Sequence, residues 1–201
     1  MANANSPFGA LPVKHGNGNP WNGMTNRYLV PSSDGSAYYI GDLVISAANA
    51  DANGVPAVAK ATAAQTMRGI VVGVEVAPPN SVTLQGTALS LETLTIPATK
   101  TRDYYVYVVD DPDIVFEIQG DTTGTNQIAA NANKNAQFTI AAPSAGSYSA
   151  TVVNSSTIAV TQTHNMKLMG LVQRSTNAFG ASAVWLAKFN QHELMGNTAG
   201  I

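Results

Sequence analysis

The chain has 201 residues, with 10 Lys or Arg, 12 Asp or Glu and a formal net charge of −2. Charged residues are 11% of the chain, against about 25% in an ordinary soluble domain. The near-neutral balance predicts no binding to nucleic acid or to an anionic membrane surface. No apolar run approaches the roughly 18 residues of a membrane span, and the lack of cysteine excludes disulfides and thiolate metal sites. So little charge favours a surface that a partner covers, although a neutral Thr- and Asn-rich surface can also be soluble.

Residues 1–26 combine prolines, Asn and Gly, which disfavour a regular helix or strand. The segment nevertheless carries five large apolar side chains, which are the candidate partner contacts: Phe8, Leu11, Val13, Trp21 and Met24. A disordered tail would be poorer in such residues. We therefore predict an extended N-terminal arm that becomes ordered against a partner. The alternative, an arm folded back on its own domain, is equally compatible with the residues.

From residue 27 onward, short apolar segments alternate with turn residues at roughly 8–12-residue spacing, which predicts an all-β sandwich or closed barrel. The predicted strands are 27–30, 38–46, 55–60, 67–76, 82–85, 91–96, 104–109, 114–119, 138–141, 147–153, 157–161, 166–173 and 183–190. We expect one β-rich domain over residues 27–195 and a C-terminal tail at 196–201. Spacing alone does not distinguish a jelly roll from another barrel order.

Two local features add to this prediction. Residues 122–163 contain one charged residue, Lys134, and their segment 126–135 is the place for at most one short helix. Strands 104–109 and 114–119 flank Asp110-Asp111-Pro112-Asp113, whose turn formers predict a β-hairpin. In the second strand Ile114, Phe116 and Ile118 alternate with Val115, Glu117 and Gln119, as in a half-buried strand.

The residues that could carry chemistry are sparse. His15, His164 and His192 have no zinc-ligand spacing, and no nucleophile or phosphate-binding motif is present. Six of the twelve acidic residues lie between residues 103 and 121, yet without the spacing of a calcium loop. A solvated turn whose charges discourage edge association is the better interpretation. We therefore predict no catalytic, metal or cofactor residues, and a protein that is not an enzyme.

Several segments together carry a family resemblance: residues 6–13 with Gly16-Asn17-Gly18, then 39–44, 69–74, 105–119, 168–174 with Asn177, Gly180 and Trp185, and 190–194. In this order they resemble the cement (head decoration) proteins of tailed bacteriophages. The resemblance implies a jelly-roll-like protein, made in the host bacterial cytoplasm, that binds the outside of the virion's capsid. It would bridge neighbouring major capsid proteins, as a dimer or trimer, without catalysis.

Two other functions are compatible with the residues. Tyr38, Tyr39, Tyr104, Tyr105 and Tyr107 could bind sugar, which would make the chain a carbohydrate-binding or adhesion module on the virion surface. Alternating aromatics on strands are more often core or cross-strand pairs. A hydrolase is disfavoured because no nucleophile and base are paired.

Overall fold

The computed structural model describes residues 3–76, 95–141, 143 and 148–195. Within them the chain forms strands and a single 3-10 turn, so the all-β class is confirmed. The strands are β1 (Ala10–His15), β2 (Asn26–Val30), β3 (Tyr38–Tyr39), β4 (Leu43–Ala50), β5 (Pro56–Lys60), β6 (Gly69–Val76), β7 (Thr95–Ile96), β8 (Tyr104–Val109), β9 (Ile114–Gln119), β10 (Asn135–Thr139), β11 (Val152–Ala159), β12 (Met166–Leu171) and β13 (Val184–Phe189). The 3-10 turn is Ala129–Asn131.

The strands form two main layers. One is a six-stranded sheet in the order β1-β9-β13-β12-β10-β11, and the other is a closed barrel in the order β2-β5-β4-β6-β8. Strands β3 and β7 form a separate two-stranded pair. Pro56 lies at the first residue of β5, a position where its missing N–H is tolerated. Although a proline within a strand favours an edge position, β5 lies between β2 and β4 in the barrel.

One buried cluster joins the two layers, and a second large cluster lies on the barrel side. Phe116 and Trp185 of the sheet belong to a buried cluster that also contains Leu43, Met67 and Ile70 from the barrel side. A second cluster, which includes Val44, Val71 and Val106, is built from barrel strands. Burial of such side chains supplies most of the driving force for folding, at about 25 cal/mol per Å² of apolar surface.

The predicted alternation in β9 is confirmed, because Ile114, Phe116 and Ile118 all lie in the core shared with the barrel. The opposite face is buried as well: Glu117 is 7% exposed and Gln119 is 2% exposed. Strand β9 is therefore covered on both faces, so the prediction of a half-buried strand is wrong.

The predicted hairpin is wrong, although both of its strands exist. Strand β8 pairs with β2 and β6 inside the closed barrel, while β9 pairs with β1 and β13 in the sheet. The residues 110–113 carry the chain from one layer to the other. The reason is topological: a barrel strand that has neighbours on both sides has no free edge to offer the next strand.

The prediction of a separate N-terminal arm is also wrong, and so is the predicted domain boundary at residue 26. Strand β1 is antiparallel to β9, with Ala10 opposite Ile118, and Ala10 is 2% exposed. Pro12 is accommodated because β1 is an edge strand. The alternative of an arm folded on its own domain describes these residues, because pairing with β9 satisfies their backbone groups.

Three smaller predictions have different outcomes. The prediction of at most one short helix, at 126–135, is confirmed, because this segment holds only the 3-10 turn. The Asn131 and Asn135 side chains donate to the carbonyls of Asn126 and Thr161, which compete with longer helical pairing. The strands expected at 147–153 and 157–161 correspond to one strand, β11. The strand 82–85, most of 91–96 and the tail 196–201 lie outside the described residues. In the described part of the chain, no helix has the length and apolarity needed to cross a membrane.

Candidate interaction surface

Three of the five predicted contact residues come together in an open apolar groove of about 480 Å³. Phe8, Leu11 and Trp21 line it, and the other lining residues are Ala10, Pro12, Ile40, Val72 and Tyr148. None of these eight residues is charged. The groove can therefore bury apolar side chains of a partner, and a charge placed there would be desolvated without an opposite charge on the groove wall.

Backbone hydrogen bonds between three chain segments build the groove. The Ala10 N–H donates to the Gly41 carbonyl at 2.9 Å, and the Ser149 N–H donates to the Ile40 carbonyl at 2.7 Å. The Trp21 N–H donates to the Val13 carbonyl at 3.1 Å, which returns the chain along the outer side of β1. These contacts hold the groove walls in place before any partner binds, so less conformational entropy is lost on binding.

Two large side chains at the rim of the groove are well exposed to solvent. Leu11 is 45% exposed and Tyr148 is 56% exposed. Tyr148 was missed by the sequence analysis, because it lies in the low-charge segment, 140 residues distant from Phe8 in the chain. Large aromatic side chains at a groove are the residue types that most often dominate binding energy.

The other two predicted contact residues do not line the groove. Val13 is half-buried at an irregularity in the pairing of β1 with β9, and its carbonyl receives the Trp21 hydrogen bond. Met24 accepts a hydrogen bond from the Trp21 indole at 3.2 Å through its carbonyl. Its side chain is 71% exposed, so it can extend the apolar surface around Trp21.

Three of the tyrosines proposed as a sugar-binding stripe bond to carboxylates of the chain, namely Tyr38 of β3 and Tyr105 and Tyr107 of β8. Tyr38 is fully buried and its hydroxyl donates to Asp34. Tyr105 donates to Asp51, and Tyr107 donates to Glu75 at 2.7 Å. Burial and the Asp51 hydrogen bond raise the pKa of Tyr105 to about 12. These hydroxyls bond to carboxylates of the chain itself and do not form an open aromatic platform.

The acidic residues of the β8–β9 connection are also held by the chain itself. Asp110 accepts a hydrogen bond from the Tyr28 hydroxyl at 2.6 Å, and the His15 Nδ1 lies 2.6 Å from the Asp111 Oδ2. Asp113 pairs with Lys188, whose hydrogen bond and charge lower the pKa of this carboxyl. Among the residues that the structure describes, no group of three or more His, Asp or Glu is arranged to hold a metal ion.

His192 follows β13 and is buried. It is 2% exposed, and its Nδ1 accepts the Leu194 N–H at 3.1 Å. Burial, helped by the nearby Arg68 charge, lowers its pKa. The ring packs against Phe189, with 5.3 Å between the ring centroids, and Arg68 lies near it.

Comparison of the chain with protein-family models, with curated proteins and with solved structures finds no match.

Proposed function

We propose that this chain is a phage capsid cement protein, which binds the outer surface of the capsid and clamps neighbouring major capsid proteins without catalysis. The family resemblance of its segments suggests this role, and the apolar groove is the observation that supports it best. The groove gathers three side chains that the sequence marks as partner contacts. We infer that it receives an uncharged apolar segment of the major capsid protein.

The physical properties of the groove suit this task. An apolar contact is little weakened by salt, because it does not depend on screened charges. Each contact can be modest, since many copies on a closed lattice, or two or three copies in one oligomer, bind with avidity. A rigid groove on the sheet also suits a clamp that must resist separation of its partners.

The test is co-sedimentation of the purified protein with capsid shells that lack it. We compare Leu11→Asp and Tyr148→Asp, which place a charge on the groove rim, with Val160→Asp as the matched control. Val160 is 82% exposed and apolar, and it does not line the groove. Point variants are preferred to removal of residues 1–26, since that deletion would also remove β1.

We expect both rim variants to remain folded and to lose shell binding, while the Val160 variant binds as the unaltered chain does. The groove assignment is overturned if the rim variants decorate shells normally. The cement role itself is overturned if the unaltered chain does not bind the shells.

A further inference from the structure

A second cavity, of about 360 Å³, lies between the N-terminal segment and the loop that joins β12 to β13. Its walls include Ser6 and Phe8, Gln119 at the end of β9, and Arg174 and Thr176 from the loop. We propose that this cavity binds one neutral sugar unit. The proposal goes beyond the cement function and does not depend on it.

Gln119 is the first reason. It is 2% exposed, and its Nε2 donates to the Ala4 carbonyl at 2.6 Å and to the Ser182 carbonyl at 3.2 Å. These two acceptors fix the orientation of the amide, because a flip would turn its oxygen toward both carbonyls. The Oε1 atom is buried and has no hydrogen-bond donor among the described residues. A buried acceptor without a donor costs free energy that a bound hydroxyl would recover.

The other side-chain amides that line the cavity, those of Asn3 and Asn177, differ from Gln119 because their oxygens have hydrogen-bond donors. Asn177 donates to the carbonyls of Val172 and Val184, and its Oδ1 accepts the Val184 N–H at 2.9 Å. Asn3 is similarly engaged with the backbone of Ala178 and Ala181. Both asparagines line the cavity with their polar atoms in use. They hold its walls in place, whereas the Gln119 Oε1 has no donor and lies behind the wall, so a ligand hydroxyl reaches it once the side chains in front of it move.

Arg174 indicates that the ligand is neutral. One of its guanidinium N–H groups donates to Glu117, which is buried, while the Arg174 side chain is 51% exposed. The Glu117 charge offsets that of Arg174, so the site has little attraction for an anion. The remaining guanidinium N–H groups are donors suited to uncharged oxygen acceptors.

The required ligand therefore offers both a hydroxyl donor, for Gln119, and oxygen acceptors, for Arg174. The exposed residues Ser6 and Thr176 add two more hydroxyl groups on the wall, and Phe8 adds an apolar surface. A pyranose ring combines several hydroxyls with an apolar C–H face, which matches this set. The volume is at the small end of the range of about 300–1,000 Å³ for ligand sites, which fits one ring.

The test is an NMR titration of the labelled full chain with three probes: methyl glucoside, methyl galactoside and N-acetylglucosamine. We expect at least one probe to cause saturable shifts of the Gln119 side-chain amide and of the Thr176 backbone amide. Glycerol serves as the control for an unspecific polyol effect. The proposal is overturned if none of the three sugars gives saturable shifts, or if glycerol gives the same shifts.

Two variants separate the cavity from the rest of the surface. Thr176→Trp fills the cavity mouth from an exposed position, and Thr163→Trp makes the same change at an exposed threonine that does not line it. We expect the first to abolish the sugar shifts and the second to preserve them. Equal binding by both variants would disprove the location. Shell binding by Thr176→Trp reports on the cement function separately, because Thr176 does not line the apolar groove.

Discussion

Gly9 and Gly41 cross with their backbones in contact, next in the chain to Phe8, Ala10 and Ile40, which line the apolar groove. A Cβ on Gly9 would lie 2.5 Å from the Gly41 carbonyl oxygen, and one on Gly41 would lie 2.5 Å from the Phe8 carbonyl oxygen. Both residues have positive φ, +72° and +90°. No side chain fits between the two chain segments at this point, so the close approach requires glycine at both positions.

The first prediction concerns this crossing. We expect Gly41→Ala to lower the free energy of unfolding by about 2–4 kcal/mol, because backbone strain and steric overlap add. Gly54→Ala is the matched control, since Gly54 has a φ of +82° but no atom within 4 Å of its added Cβ. It should cost only about 1 kcal/mol, from strain alone. Urea unfolding of both variants measures the difference, and equal losses would contradict the close approach.

The second prediction concerns Tyr28, which links Arg68 to the start of the β8–β9 connection. Its hydroxyl accepts hydrogen bonds from Arg68 at 2.8 and 2.6 Å and donates to Asp110 at 2.6 Å. Burial and the Asp110 hydrogen bond raise its pKa to about 12. We expect Tyr28→Phe to lower the free energy of unfolding by about 1–3 kcal/mol, because Arg68 and Asp110 lose a partner.

Tyr148→Phe is the control for the loss of a hydroxyl. Tyr148 is 56% exposed, so water can replace any hydrogen bond that its hydroxyl loses. Thermal unfolding of the two variants should show a clear loss for Tyr28→Phe and almost none for Tyr148→Phe. A Tyr28 variant as stable as the unaltered chain would show that the link contributes nothing.

The third prediction is a pH dependence of stability from His192. Its folded pKa lies below the ordinary value of 6.5 because burial disfavours the charged ring. The unfolded state then binds more protons than the folded state as the pH falls below 6.5. The stability that neutral His192 contributes is therefore complete above pH 6.5, the ordinary pKa of histidine, and is lost as the pH falls toward the folded pKa. The groups near the ring are Arg68, Asp110 and Glu193.

Denaturant unfolding from about pH 7.5 to about pH 5 covers the range in which a histidine titrates. We expect the stability of the unaltered chain to decline more steeply toward acid than that of His192→Gln, whose side chain can still accept the Leu194 N–H. Parallel curves for the two proteins would refute a depressed pKa at His192.

The fourth prediction concerns Asp121, which joins β9 to β11. Burial raises the pKa of its carboxyl, but hydrogen bonds from Thr123 and Ser155 outweigh this and leave the pKa lowered. The Ser155 N–H donates at 2.8 Å and the Ser155 hydroxyl at 2.7 Å. We expect Asp121→Asn to lower the free energy of unfolding by about 1–3 kcal/mol at neutral pH, since charge-assisted bonds are lost.

Because the folded pKa of Asp121 is depressed, its contribution is present above the ordinary value of 3.8 and disappears as the pH falls through the folded pKa. The difference between the two proteins should therefore shrink in acid. Asp113→Asn is the control: it removes a carboxylate that is 67% exposed and should cost less than about 1 kcal/mol. If Asp113→Asn costs as much as Asp121→Asn, the hydrogen bonds that Asp121 accepts from Thr123 and Ser155 add nothing to stability.

Local sequence patterns predicted most of the strands and one feature of the surface. The alternation of Ile114, Phe116 and Ile118 placed one face of β9 in the core. These features depend on neighbours in the chain. The apolar character of Phe8, Leu11 and Trp21 likewise indicated that these side chains contact other apolar groups.

Only the tertiary structure decided which strands pair and what each segment covers. The turn residues at 110–113 are equally suited to a hairpin and to a crossing between layers, and the closed barrel left β8 no free edge for β9. The tertiary structure also decided which side chains meet. Tyr148 joins Phe8 in one groove, and the Gln119 amide donates to the carbonyls of Ala4 and Ser182. Strand pairing is set by contacts between residues far apart in the chain, which no local pattern contains.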